Sequence, residues 1–318
     1  MDIEYLLLLQ QFREATGNVL SPFMSAVSKI AVAGLPIFLI CFVYWAFDRK
    51  AGKRLIGGAA FSLFINGVLK LVFCVYRPWI RDDRVLPYGD SKVAATGYSF
   101  PSGHSTWATS NFGGVGAWLW RNERRVAGAL FWVFVGLVLF SRNYLGVHTP
   151  QDVVVGFGAT LLAMWAVYKL EHWTDADPSR DLPVLIGGLA LVIAAAVFYM
   201  VKPYPMDYAA DGSLIVDPAA MINDSFQGIG YLGSYVVCRY IERRGCDFDR
   251  ELTGRTRIIA AVVALVPLAA WLFLWQYGPG AQVAAAVRYT IMFAGIPAYA
   301  MVAAPAAMGQ AAKALESK

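Results

Sequence analysis

Two imidazoles and three fixed cations, set in short motifs, are the strongest chemical signal in the chain. Pro101-Ser102-Gly103-His104 forms one segment. A second runs Ser141-Arg142, five residues, His148, three residues, Asp152, and a third runs Lys70, six residues, Arg77-Pro78. The chain has only three histidines, and two of them fall in these segments. One imidazole can attack a phosphorus while another supplies a proton, and arginine and lysine can hold the phosphoryl oxygens. The chemistry these residue types allow is phosphoryl transfer through a phosphohistidine.

Each segment carries its own physical logic. Ser102 and Gly103 precede an apolar run and fall at a helix start, where free backbone N–H groups favour an anion. Arg77 and Arg142 can each grip two oxygens, and Lys70 adds a compact charge. In His148-Thr149-Pro150-Gln151-Asp152 the threonine suits an N-cap, the proline the first helical position and the aspartate the third. Asp152 can serve that helix start and also accept a proton of His148, leaving the other ring nitrogen free to attack.

The elements that must position these groups are transmembrane helices. Of 318 residues, 58% are hydrophobic and 15% charged, and the apolar residues cluster in runs long enough to cross a bilayer. A closed barrel would need short alternating strands, which the pattern lacks. Nine spans are expected, near 24–46, 56–76, 103–120, 126–145, 150–169, 183–201, 224–241, 257–277 and 283–306. The fold class is thus all-α, a polytopic helical bundle. Residues 1–22 read as an amphipathic interfacial helix rather than a signal peptide, since a basic leader is missing and the apolar run is short. Ends of even spans and starts of odd spans share one face, so Lys70, Arg77, His104, Arg142 and His148 should all meet there.

The distribution of positive charge orients the bundle. Arg49, Lys50, Lys53 and Arg54, then Arg121, Arg124 and Arg125, then the run from Arg239 to Arg257 lie in loops on the opposite face. The positive-inside rule puts those loops and the C-terminus in the cytoplasm, and the N-terminus and the motifs outside, as for a protein of the cell (inner) membrane. With the basic residues accounted for by topology, the net charge of +5 gives no sign of nucleic acid.

Other features read more plainly as structural. Cys41, Cys74, Cys238 and Cys246 lack metal or redox spacing. Asp82 and Asp83 read as loop charge beside Arg81 and Arg84, and His172 as a helix-end residue. Gly228, Gly230 and Gly233 fit a dinucleotide fingerprint on paper, but inside a hydrophobic helix they read as a packing face. The outer loop 202–223 reads as a connector, with a flap over the site as the alternative.

The three segments together resemble the type 2 phosphatidic acid phosphatase superfamily, whose signature K-x6-R-P, P-S-G-H and S-R-x5-H-x3-D is matched at every position. The resemblance covers about residues 60–165. It implies a six-helix-type phosphatase core, here within 23–175, with 176–318 as an extension of four spans. It also implies that His148 is the nucleophile, Asp152 its orienting partner and His104 the general acid. Lys70, Arg77, Ser102, Gly103 and Arg142 would form the phosphate cradle, with no metal and no cofactor. The implied substrate is a lipid phosphate or pyrophosphate, of isoprenyl, phosphatidate or sphingoid type, met among membrane lipids. A small soluble phosphomonoester, a phosphotransferase and a non-hydrolytic lipid-binding protein are the alternatives. A homodimer stays open.

Overall fold

The computed structural model of the protein describes residues 2–95, 97–245 and 252–316. Cys246 and Arg250 therefore lie outside the described residues. The chain runs α1 (Asp2–Ala15), α2 (Ser21–Val32), α3 (Leu35–Phe42), α4 (Arg49–Phe73), α5 (Pro78–Arg81), α6 (Ser91–Ala94), α7 (Gly103–Trp107) and α8 (Gly114–Arg121). It continues with α9 (Arg125–Tyr144), α10 (Pro150–Asp175), α11 (Asp181–Val201), α12 (Pro218–Gly245), α13 (Gly254–Gln276), α14 (Ala285–Pro297) and α15 (Ala304–Glu316). Three wider π segments, Val43–Phe47, Ala108–Gly113 and Ala298–Ala303, join α3 towards α4, α7 to α8 and α14 to α15.

Among the described residues, six helical segments are long and apolar enough to cross a membrane, and α2–α3 make a seventh if that pair, bent by 49°, is one span. The bend is placed by Gly34, which adopts φ +86°, a conformation that side chains with a Cβ rarely take. Two of the nine expected spans do not meet the same standard. The helical run through α7 and α8 buries Thr106, Thr109, Ser110 and Asn111. Helix α12 carries Asn223, Asp224 and Gln227 near one end and Glu242, Arg243 and Arg244 near the other. Both pack against other helices of the bundle, which bury or half-bury most of these polar residues.

Helix α12 is the hub of the C-terminal half. A Cβ on Gly228 would stand 2.6 Å from the Phe64 backbone of α4, and one on Gly230 would stand 2.1 Å from the Thr290 carbonyl of α14. The glycines expected to form a packing face therefore bring three helices into backbone contact. At the end of the bundle away from the motifs, Arg239 of α12 donates to Glu171 of α10 at 2.6 Å and to Asp181 of α11 at 3.1 Å. Lys53 of α4 adds an ion pair to Glu242 at 3.2 Å. These paired charges tie core and extension together, and one continuous apolar cluster runs through both.

Helix α1 forms where an amphipathic helix is expected and packs on the loops at the motif end. Its buried Arg13 donates to the carbonyls of Leu86 at 2.7 Å and Tyr144 at 3.1 Å, and Asp2 pairs with Arg81 at 2.8 Å.

Candidate active site

All three motif segments come together at one end of the bundle. Lys70 lies in the last turns of α4, Arg77 just beyond that helix, and Ser102 at the N-cap of α7. Arg142 ends α9, His148 sits in the turn that follows, and Asp152 lies in the first turn of α10. Lys70, Arg77, Ser102, Arg142, His148 and Asp152 are buried, whereas Gly103 and His104 are half-buried at the mouth.

His148 is fixed at both nitrogens. Its Nδ1 lies 3.3 Å from Asp152 Oδ2, and Arg77 Nη1 lies 2.9 Å from its Nε2. A guanidinium only donates, so Nε2 is the acceptor and the neutral ring carries its proton on Nδ1, facing Asp152. Burial first, and then the Arg77 charge, push the His148 pKa well below the ordinary imidazole value, against the opposing pull of Asp152. The ring is therefore neutral at physiological pH, with its Nε2 lone pair turned towards the cations.

One oxygen does three jobs. Asp152 Oδ2 accepts from Ser99 Oγ at 2.6 Å and from the Thr149 backbone N–H at 2.8 Å, besides meeting His148. The Thr149 bond closes a capping box with the return bond from the Asp152 N–H to Thr149 Oγ1 at 3.4 Å. The helix-start role and the imidazole contact expected of Asp152 thus coexist on a single carboxylate.

The loop before His104 is held from beneath. The Ser102 N–H donates to the Asp152 carbonyl at 2.9 Å, and Ser102 Oγ caps the Ser105 N–H at 3.3 Å. Gly156, one turn along α10, lies where a Cβ would come within 2.8 Å of the Ser102 carbonyl. The close approach of α10 to the Ser102-Gly103 turn therefore depends on that glycine. Asn66 of α4 donates to the Pro101 carbonyl at 3.4 Å and to Thr106 Oγ1 at 3.1 Å.

The three cations are partly spent on this scaffold. Lys70 Nζ donates to the carbonyls of Tyr98 at 2.9 Å and Ser99 at 3.4 Å. Arg77 also donates to the carbonyls of Gly97 at 3.1 Å and Val147 at 3.2 Å. Arg142 Nη1 donates to Ser28 of α2, while its buried Nε has no partner among the described residues. The charges of Arg142, Arg77 and Lys70, and that of His148, act on the His104 ring.

Ser28, Asn66, Ser99, Asn143 and Gly156 also belong to this assembly, Asn143 by donating to the His148 carbonyl at 2.9 Å. None stands out by residue type or spacing. Of the features set aside, Asp82 pairs with Arg84 at 2.7 Å and His172 is exposed against the Tyr168 ring. In the outer loop, Asp207 accepts from Tyr76, and Lys202 donates to the Leu71 and Val72 carbonyls at the end of α4.

Comparison with known proteins identifies the family. The model of the PAP2 superfamily matches residues 51–175, the stretch that holds every motif residue. An undecaprenyl-diphosphatase of Sulfolobus acidocaldarius is 30% identical over 189 residues, 58% of this chain and 84% of the relative. A phosphatidylglycerophosphatase B of Bacillus subtilis is 29% identical over 156 residues, 46% of this chain and 73% of the relative. A lipid A 4′-phosphatase of Porphyromonas gingivalis is 28% identical over 168 residues, 48% and 69% of the two chains. No solved structure matches the chain. The chain belongs to the PAP2 superfamily, as an integral membrane hydrolase of phosphate or diphosphate esters.

Proposed function

We propose that the protein hydrolyses a lipid phosphate or pyrophosphate through a phosphohistidine on His148, without a metal. The observation that carries this is the double fixing of the imidazole, with Nδ1–H on Asp152 and Nε2 held among the cations. In the first step Arg77 turns its Nη1–H from Nε2 to a phosphoryl oxygen, Nε2 attacks phosphorus, the bond to the leaving oxygen breaks, and His104 gives that oxygen its proton. In the second, water attacks phosphorus, the P–N bond breaks, and His104 takes the proton from water. Inorganic phosphate leaves and both rings return to their starting forms. Lys70, Arg77 and Arg142, with the Ser102 hydroxyl and the Gly103 N–H, neutralise the equatorial oxygens in both transition states.

The relatives' named substrates are all lipid phosphates, which supports a lipid here. The site at helix ends, where a headgroup sits, supports the same reading. We take α7–α8 and α12 as interior crossings, giving nine spans with the site on the extracytoplasmic face and the C-terminus in the cytoplasm. The basic residues Arg49, Lys50, Arg121 and Arg124 at the opposite end of the bundle support that orientation.

The test is phosphate release by purified protein in excess EDTA. The panel is undecaprenyl pyrophosphate, phosphatidylglycerophosphate, phosphatidate, sphingosine 1-phosphate and glucose 6-phosphate. Release from lipids, lost in His148→Ala, is expected. Release from glucose 6-phosphate alone, or transfer of the phosphoryl group to another lipid, would contradict the reading.

A further inference from the structure

The C-terminal half, most of which lies beyond the matched family region, builds a second wall against the site. Between the α2–α3 bend and helices α12, α13 and α14 lies a groove of about 570 Å³, lined by Ala33, Trp107, Gln227, Leu272, Tyr289 and Phe293 among others. That volume falls within the range of about 300–1,000 Å³ usual for ligand pockets.

Two of the lining residues neighbour groups that bear on the site. Trp107 lies three residues after His104 on the same helix, so the two share a face. Its ring packs against Phe293 of α14, with centroids 6.1 Å apart. On the other side Tyr289 stands beside the Asp224 carboxylate, whose charge reaches Lys70. The lining from α13 and α14 falls near the helix ends that face each other across 277–284, and the α2–α3 bend closes the other side.

We propose that this groove is the subsite for the hydrocarbon chain of the substrate, with the chain leaving the phosphate past Trp107. The inference rests on the lipid-phosphatase reading above. A chain moving from bilayer to groove gains no hydrophobic free energy, because lipid tails are as apolar as the lining. What the groove supplies is orientation, holding the ester in line with His148, so its effect falls on chain selectivity and turnover.

The experiment uses His148→Ala protein in nanodiscs, with the lipid phosphate that wild type turns over fastest, modified to carry a diazirine at the chain end. After illumination, labelled peptides should map to 32–38, 272–277 and 289–293. Labelling should fall on adding the unmodified lipid phosphate, but not on adding the same lipid without its phosphate. Labelling elsewhere, or equal displacement by the phosphate-free lipid, would mean that the groove holds bulk lipid only. Phosphate release by wild type from the same probe separates the two ideas. Release from the probe with labelling elsewhere defeats the groove alone, and absence of release from every unmodified lipid phosphate of the panel defeats the hydrolase reading beneath it. As a second measurement, Ala33→Trp should fill the groove and lower the ratio of long-chain to short-chain kcat/KM about tenfold. An unchanged ratio would overturn the proposal.

Discussion

Arg77 Nη1 donates to His148 Nε2 at 2.9 Å, on the side of the ring opposite Asp152. The pair fixes which nitrogen is protonated and points the basic one into the cationic basin. Removing the carboxylate charge while keeping its shape should favour the wrong tautomer. Asp152→Asn is therefore expected to lower kcat about a thousandfold or more. Ser99→Ala, which removes one donor to the same oxygen, should cost about tenfold. Steady-state rates on purified variants would check both, and a larger loss for Ser99→Ala than for Asp152→Asn would contradict the arrangement.

The pH profile follows from the burial of His148. Its pKa lies below the ordinary 6.5, so the ring stays neutral, and able to attack, through pH 6.5 and somewhat lower. If protonation of His148 limits the acid side, the acid limb of kcat/KM should fall below pH 6.5. An acid limb clearly above 6.5 would show that burial and the Arg77 charge do not depress this group.

Gly156 tests the fit of α10 beneath the Ser102-Gly103 turn. A methyl group there would lie 2.8 Å from the Ser102 carbonyl, so Gly156→Ala must push the turn out of place. Overpacking of this kind costs about 1–3 kcal/mol. The expected result is a folded protein with kcat down about tenfold or more, and wild-type kcat would sink the claim that this contact positions the turn.

At the far end, Glu171 is 1% exposed and accepts from Arg239 and from Tyr235. Glu171→Leu leaves Arg239 short of a partner in a buried place and should cost about 3 kcal/mol, read as a lower unfolding midpoint. Adding Arg239→Met should restore part of the loss. A single variant as stable as wild type would show that this cluster does not hold the extension on the core.

Much of the site was legible in the sequence because the motifs combine rare residue types with helix-boundary signals. Thr149-Pro150 places Asp152 in a first turn, and that fixes its distance from His148. Ser99, Ser28, Asn66 and Asn143 were not legible, since each matters only through a partner supplied by the tertiary fold. The nine expected spans met a different limit. Hydropathy finds long helices that are apolar throughout, whereas α7–α8 and α12 carry Thr109, Asn111 or Asp224 and fall short of that standard. Nor does any periodicity announce that α1 would pack its Arg13 against the Leu86 and Tyr144 carbonyls.

The central claim is that His148 carries the phosphoryl group. Wild type should be mixed with lipid phosphate labelled on phosphorus, quenched in alkali within the first turnovers, digested and mapped. The account predicts an alkali-stable, acid-labile phosphate on the peptide containing His148, absent from His148→Ala and longer-lived in His104→Ala. Label on His104, or full turnover with no labelled peptide at any quench time, would contradict it.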